Sequence, residues 1–341
     1  MQPRIAVLAA GSKSGEIGGA ERFYFGVRDA LRAQGANAQI LMIINDESSF
    51  EAIEETYLRY YDLDLSQFDG VCSTKAPGYV VRHPNHVCYL VHTMRVFYDM
   101  FDREFPNADA RLKWQRSEIH RIDTAALRDS RIRKRFVIGH EVRDRLMEYN
   151  GLDAEVLYPA TGLEGFRTGE YRYVFLPGRL HRWKRVSLVI EAMRHVALPV
   201  QLLISGVGED EHELRAQAEG DCRIRFVGRV TDEELLNYYS DALVVPFVAF
   251  REDFGFVTLE AFHSHKPVIT CSDSGEPAKI VHDGITGFIC PPAAKAIAAR
   301  IQQLAESPRL AAEMGAAGAN SIQRIRWDLV ADKLLAALGF R

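Results

Sequence analysis

Residues 242–262 read ALVVPFVAFREDFGFVTLEAF. The stretch opens with a short apolar run, Ala242–Val245, of the length and branching expected of a buried strand. A loop follows from Pro246 to Asp253. Gly255 permits a tight turn, and the apolar-rich segment from about Val257 reads as a helix. Strand, loop, glycine turn and helix make half of a parallel α/β unit, whose ligands bind beyond the carboxyl ends of the strands. This reading puts Glu252 in the loop and Glu260 about one turn into the helix.

The same alternation runs through the rest of the chain. Ile5–Ala10 reads as a buried strand, Ala20–Gln34 as a helix stopped by Gly35, and Gln39–Ile44 as a second strand. Phe68–Cys72, Val87–Val91, Arg135–Ile138 and Glu155–Leu157 are further runs of strand type. Around Pro159–Gly169 the pattern breaks into Pro, Gly, Thr and Glu, which marks a linker. Strands then restart at Tyr173–Leu176, Val200–Ser205, Arg225–Val227, Pro267–Cys271 and Gly287–Cys290. Helical patterns lie between them at Val186–His195, Glu209–Glu219 and Asp232–Tyr239. The expected fold is α/β, with two Rossmann-like, doubly wound domains facing each other across a cleft. Their expected bounds are residues 1–165 and 166–325. Residues 326–341 form a C-terminal helix that could pack back on the first domain.

Bulk properties narrow the function. With 341 residues, 47% hydrophobic and 26% charged, the chain can bury two cores. A formal net charge of −4 gives no reason to expect a nucleic-acid partner. The five cysteines, Cys72, Cys88, Cys222, Cys271 and Cys290, include no C-x-x-C pair. They fit a reducing compartment better than a disulfide frame or a zinc knuckle. No apolar run approaches the roughly 18 residues a membrane span needs. Ile5–Ala10 is too short for a signal-peptide core and leads into a glycine-rich turn.

Three stretches carry chemistry. In AAGSKSGEIGGAER (9–22), glycines allow close approach of backbone to an anion, and the following helix offers its positive end. The spacing is neither G-x-G-x-x-G nor a P-loop, so a nicotinamide or ATP site is poorly supported, and an ordinary tight turn is the plain alternative. In LPGRLHRWKR (176–185), Arg179 and Lys184 follow a strand end, where a planar fork and a point charge could clamp a diphosphate. The alternative is a solvated basic turn. In the opening stretch, one carboxylate can accept from sugar hydroxyls and another can grip a ribose diol, or both are helix-start acids favoured by the dipole.

These motifs come in a telling order. Gly-Gly-Ala-Glu at 18–21, Gly-Arg-Leu-x3-Lys-Arg at 178–185 and Glu-x7-Glu at 252–260 are followed by KPVIT (266–270) and DGITGF (283–288). Together they resemble the family-4, or group 1, retaining glycosyltransferases of the GT-B fold, of the bacterial surface-glycan type. The likeness covers nearly the whole chain and is strongest over residues 171–292. It implies that Glu260 binds the ribose of a nucleotide sugar and Glu252 touches the donor sugar. Arg179 and Lys184 would neutralise the diphosphate, helped by backbone amides of Gly18 and Gly19. The turn Phe254, Gly255, Phe256, Val257 and Thr258 would offer further amides, and Gly228 to Val230 would hold the base. His92, just after a strand in YLVHTMRVFYDMFD, resembles a histidine that faces donor sugar and acceptor. The implied catalytic set is His92, Arg179, Lys184 and Glu252. A satisfied structural role for His92 stays open, as does the role of His140.

The resemblance implies transfer of a sugar from a UDP- or GDP-linked donor to a hydroxyl of a glycan, glycolipid or small-molecule acceptor. It also implies retention of configuration, with no metal and no cofactor. Other readings are a non-catalytic sugar-nucleotide-binding subunit and a Rossmann oxidoreductase, which lacks its fingerprint here. The loop DSGEPAK (273–279) departs from the family's usual Asp-Ser-Gly-Gly-Pro-x-Glu: Glu276 stands for a glycine and Lys279 for the acid.

Weaker constellations read as structure. His263 and His265, two apart on a helix, point to different faces. His83, His86 and Cys88 lack a fourth metal partner. Met94, Phe97, Tyr98 and Phe101 read as core. Residues 111–135 carry nine Lys or Arg against three Asp or Glu. That is a solvated face or, alternatively, a contact with anionic lipid or a lipid-diphosphate acceptor. A cytoplasmic protein, or one held peripherally at the inner face of a membrane, is the matching expectation.

Overall fold

A computed structural model describes residues 2–11 and 19–341. The chain divides into two compact units, Met1–Gly162 with Ile325–Arg341, and Leu163–Arg324.

The first unit is built on six parallel strands: β1 (Arg4–Gly11), β2 (Asn37–Ile44), β3 (Gly70–Ser73), β4 (His86–Leu90), β5 (Ile132–Val137) and β6 (Glu155–Val156). Their spatial order is β2-β1-β3-β4-β5-β6. β1 is buried from Ile5 to Ala10, as expected of a parallel strand covered on both faces. The helix Gly19–Ala33 turns Phe23, Tyr24, Val27, Ala30 and Leu31 inward at helical spacing. The last helix, Trp327–Ala337, packs on it at Gly26, where an added Cβ would stand 2.1 Å from the Trp327 ring. The Trp327 indole N–H donates to the Thr161 carbonyl at 3.0 Å. β5 starts three residues earlier than the apolar pattern suggests, because it carries Arg133 and Lys134 exposed on its outer half.

The second unit holds β7 (Tyr173–Pro177), β8 (Leu202–Ser205), β9 (Ile224–Gly228), β10 (Ala242–Pro246), β11 (Val268–Cys271) and β12 (Gly287–Cys290). All pairs are parallel, in the order β12-β11-β10-β7-β8-β9. The core between sheet and helices includes Val174, Leu176, Val189, Ile190, Leu202, Ile204, Val244 and Ile269. From β7 the chain runs outward through β8 to β9, then returns to the other side of β7 as β10. The order therefore reverses between β7 and β10. Loops leaving those two strands go to opposite faces and open a crevice beyond their carboxyl ends.

Met94, Phe97, Tyr98 and Phe101 are buried. In the helix Ala110–Leu127, Arg111 pairs with Glu51, Arg116 with Asp102 and Arg121 with Glu118, so three of its four cations are matched by acids. No helix among the described residues is long and apolar enough to cross a membrane.

Candidate active site

The crevice of the second unit is lined by the ends of β7 and β10 and by the loops that leave them. Leu176 to Arg179, Lys184 and Val186 stand on one side, Pro246 to Val248 on the other. Lys184 closes a short 3-10 turn, Arg182–Lys184, capped by His181, whose Nδ1 accepts from the Trp183 N–H. The turn sends the lysine across the crevice, and its Nζ donates to Glu252 Oε2 at 2.6 Å. Both side chains are partly exposed, so a charged ligand can reach them. Two residues the sequence chose separately, 68 positions apart, form one ion pair.

Glu252 is held from below. Its N–H donates to the Ser274 carbonyl, and its carbonyl accepts from the Glu276 N–H, each at 2.9 Å. The contact requires glycine at 275. Gly275 has φ +74°, and a Cβ there would come 2.5 Å from the Glu252 carbonyl oxygen. The departing loop DSGEPAK thus forms the floor under the first acid, with Glu276 fully buried.

Gly255, at φ +80°, ends the loop and starts the helix Phe256–His263. A Cβ there would lie 2.4 Å from the Phe247 ring. The helix opens with Phe256, Val257 and Thr258, whose first-turn amides and positive dipole end suit an anion. Glu260 lies one turn on, nearly buried, and its Oε2 accepts from the Tyr239 hydroxyl at 2.7 Å. Tyr239 lies in the last turn of the helix Asp232–Ser240 and was not singled out in the sequence; no motif links it to Glu260.

Arg179 is exposed and engages Glu209 through two bonds, Nε to Oε2 and Nη2 to Oε1, each 3.2 Å. The Glu209 carboxyl is held below its usual range, first by its own backbone N–H and then by Arg179 and His181. Glu209 is a second neighbour the sequence reading missed. Gly228, at φ +71°, ends β9, and its carbonyl accepts from the Gly206 N–H at 2.7 Å; Val230 follows, half-buried.

Residues 164–321 match the family model for glycosyl transferases group 1. The second unit belongs to the group 1 glycosyltransferases. Among curated relatives, the D-inositol 3-phosphate glycosyltransferase of Streptomyces bingchenggensis is 29% identical over 224 residues, 56% of this chain and 49% of that protein. The chain spans about half the length of the curated relatives it first matches. Among solved structures, sucrose-phosphate synthase from Thermosynechococcus elongatus superposes with a TM-score of 0.77 at 19% identity, over 98% of this chain and 97% of that one. Anabaena HepE in complex with UDP-glucose gives 0.73 at 16% identity, over 99% and 100%. The likeness shows the fold, GT-B.

The other predicted residues lie on the first unit. Gly19 opens the helix after β1, and Gly18 lies outside the described residues. His92 follows β4, and its Nδ1–H donates to the Thr93 carbonyl at 2.7 Å, which places the lone pair of the neutral ring on Nε2. His140 starts the helix His140–Asn150, with Nδ1 3.1 Å from the Tyr158 hydroxyl. It borders an open hollow of about 670 Å³ between β5 and β6. Across that hollow Lys134 pairs with Glu155 and Arg143 with Asp153.

The weaker constellations resolve as structure. His263 stacks on Phe166 at 5.1 Å, while His265 sits beyond the helix end at φ +56°. His83 Nδ1 accepts from the Asn85 N–H and its Nε2–H donates to the Phe68 carbonyl, each at 3.1 Å, and His86 bonds Ser73 Oγ. Among the described residues no group of three or more His, Cys, Asp or Glu could hold a metal ion.

Proposed function

We propose that the protein is a retaining glycosyltransferase that moves a sugar from a UDP- or GDP-linked donor to an acceptor hydroxyl without a metal ion. The observation that carries this reading is the convergence at one switch point of Lys184, Glu252, a helix N-terminus and Glu260. The group 1 match over the same residues supports it.

The division of labour follows from the chemistry. A diphosphate brings negative charge to the crevice, and the helix amides with Lys184 and Arg179 meet it. Glu260, steadied by Tyr239, accepts from a ribose diol, and Glu252 from hydroxyls of the donor sugar. As the bond from the anomeric carbon to phosphate breaks, charge grows on the leaving diphosphate, and cations already in place stabilise it. In the front-face course that the family resemblance implies, the acceptor oxygen bonds that carbon on the departing face. Its proton passes to the leaving phosphate oxygen, so configuration is retained. His92 enters as the residue of the first unit to be tested for an effect on turnover. The acceptor is a glycan, a glycolipid or a small molecule, and the relatives named as acting on inositol phosphates place polyol hydroxyls first in a screen. A cytoplasmic setting, free or peripheral on the inner face of a membrane, fits an enzyme that draws on nucleotide sugars.

A thermal-shift screen against nucleoside diphosphates and their sugars tests the reading, since a ligand at 100 times its Kd stabilises by about 2.7 kcal/mol. Donor consumption and product formation in the presence of EDTA complete the test. Binding with neither hydrolysis nor transfer would favour a non-catalytic sugar-nucleotide-binding subunit. Loss of activity in EDTA, restored by Mg²⁺ or Mn²⁺, would overturn the metal-free mechanism.

A further inference from the structure

Among the described residues three that are not glycine have positive φ: Arg185 (53°), Arg251 (46°) and His265 (56°). That region is unfavourable for any residue with a Cβ, so its occupant must gain something in return. Two of the three stand in the loops that leave β7 and β10, and both reach Asp273, near the start of the loop that leaves β11. The Arg251 N–H donates to the Asp273 carbonyl at 2.9 Å. The Arg185 guanidinium grips the Asp273 carboxylate with two bonds, Nη1 to Oδ2 at 2.8 Å and Nη2 to Oδ1 at 2.7 Å. The same guanidinium donates through Nε to the Val248 carbonyl at 2.6 Å and through Nη2 to the Ala249 carbonyl at 3.3 Å. One side chain therefore ties the β7 loop to the β10 and β11 loops.

These contacts close a ring. Lys184 is covalently next to Arg185, Arg185 holds Asp273, and Ser274, next to Asp273, holds the Glu252 backbone. Glu252 in turn holds the Lys184 ammonium. The backbone part of the ring is short, so the position of Asp273 sets where the Glu252 and Lys184 backbones stand, and the two side chains span what remains. A glycine at 185 would adopt φ +53° without strain but would leave the ring open.

We propose that Arg185 and Asp273 are positioning residues: as a bidentate pair they fix Lys184 Nζ against Glu252 and thereby set the rate of sugar transfer. The inference rests on the transferase reading for its kinetic part only. Misplacement of a reacting group by about 1 Å can cost on the order of 10²-fold in rate. Arg185→Gly, which suits the backbone, is therefore expected to lower kcat by about 10- to 100-fold while the Kd for UDP or GDP changes less than about threefold. Asp273→Asn should follow it in direction, and Arg185→Lys should recover part of the rate, because a point charge keeps one bond of the fork. Unchanged kcat in Arg185→Gly, or a loss confined to melting temperature, would overturn the proposal. A crystal structure of Arg185→Gly beside the wild type gives a readout that needs no activity. The Lys184–Glu252 contact should be lost or displaced in the variant, and its persistence at the wild-type distance would refute the positioning role. If the wild type bound no nucleotide and turned over no donor, the transferase reading would fail, and this structural comparison would still decide the role of the pair.

Discussion

The two sheets are alike in size and strand direction, yet they use charge in opposite ways. In the first unit the charged groups away from the surface sit inside the packing. Asp99 and Arg145 form an ion pair with both side chains fully buried, Nε to Oδ1 at 2.8 Å, and Arg95 joins from the edge. Asp123, also fully buried, accepts from the hydroxyls of Tyr57 at 2.6 Å and Tyr98 at 2.7 Å. In the second unit three ion pairs stand in the loops beyond strand ends, partly open to water: Lys184 with Glu252, Arg185 with Asp273, Arg179 with Glu209. Burial makes the first set costly to disturb and inaccessible to ligand. Exposure makes the second set cheap to disturb and ready to exchange partners. Substitutions in the first should move stability, and those in the second should move chemistry.

The largest effect expected is from Asp99→Ala. It leaves the Arg145 guanidinium buried without its carboxylate, and breaking such a pair typically costs about 3–5 kcal/mol. Calorimetric unfolding should show the loss, and a change under about 1 kcal/mol would mean that the pair is no structural keystone. Next is Lys184→Ala. Loss of a cation that stabilises a developing charge costs roughly 3–4 kcal/mol, or about 10²–10³ in kcat. Removing a partly exposed pair should cost about 1 kcal/mol of stability. If steady-state kinetics show a higher KM with kcat intact, the lysine anchors the ground state and stabilises no growing charge.

The contrast has a pH signature. Burial raises the Asp123 carboxyl from 3.8 to about 6, against the opposing pull of the tyrosine hydroxyls. A carboxyl with a raised folded value binds its proton more tightly in the native state. Its contribution to stability is thus fully present below about pH 4 and lost as pH rises through about 6. The shift corresponds to on the order of 3 kcal/mol. Asp123→Asn cannot ionise, so its melting temperature relative to wild type should climb as pH goes from about 4 to about 7. A constant difference over that range would remove Asp123 as the titrating group.

How much of this was legible beforehand depends on whether the relevant contact is local. The strand read at Ala242–Val245 is β10, and the helix start falls within a residue of expectation because Gly255 imposes the turn. Both are consequences of neighbouring residues. Strand order is not local: nothing in the sequence says that β10 returns to the far side of β7, and that return creates the crevice. Arg185 and Asp273 are 88 residues apart, and neither belongs to a periodic pattern, so their pairing had no signal beyond the odd loop DSGEPAK. Tyr239 entered only as the end of an expected helix. Asp99, Arg145 and Asp123 carried no signal, since a buried charge is rare enough that no pattern announces it.

The smallest effects should separate the two acids that motivated the site. Glu260 is nearly buried and steadied by Tyr239, and its proposed ligand is the ribose, which bare nucleotide and donor share. Glu252 pairs with Lys184 in the open crevice, and its proposed ligand is the sugar, which only the donor carries. A hydrogen bond to a charged group is worth about 1.5–3 kcal/mol, so replacing a carboxylate by its neutral isostere should weaken its own ligand by roughly tenfold or more. Glu260→Gln should therefore weaken UDP or GDP and the corresponding nucleotide sugar alike. Glu252→Gln should leave the bare nucleotide within about threefold, because a weakened pair also frees Lys184 for the diphosphate, and should reduce donor affinity or kcat. Calorimetric titration of both variants with both ligands gives four affinities. Equal losses of bare-nucleotide binding would show that the two acids act on the same part of the donor, and the assignment of one to each end would fall.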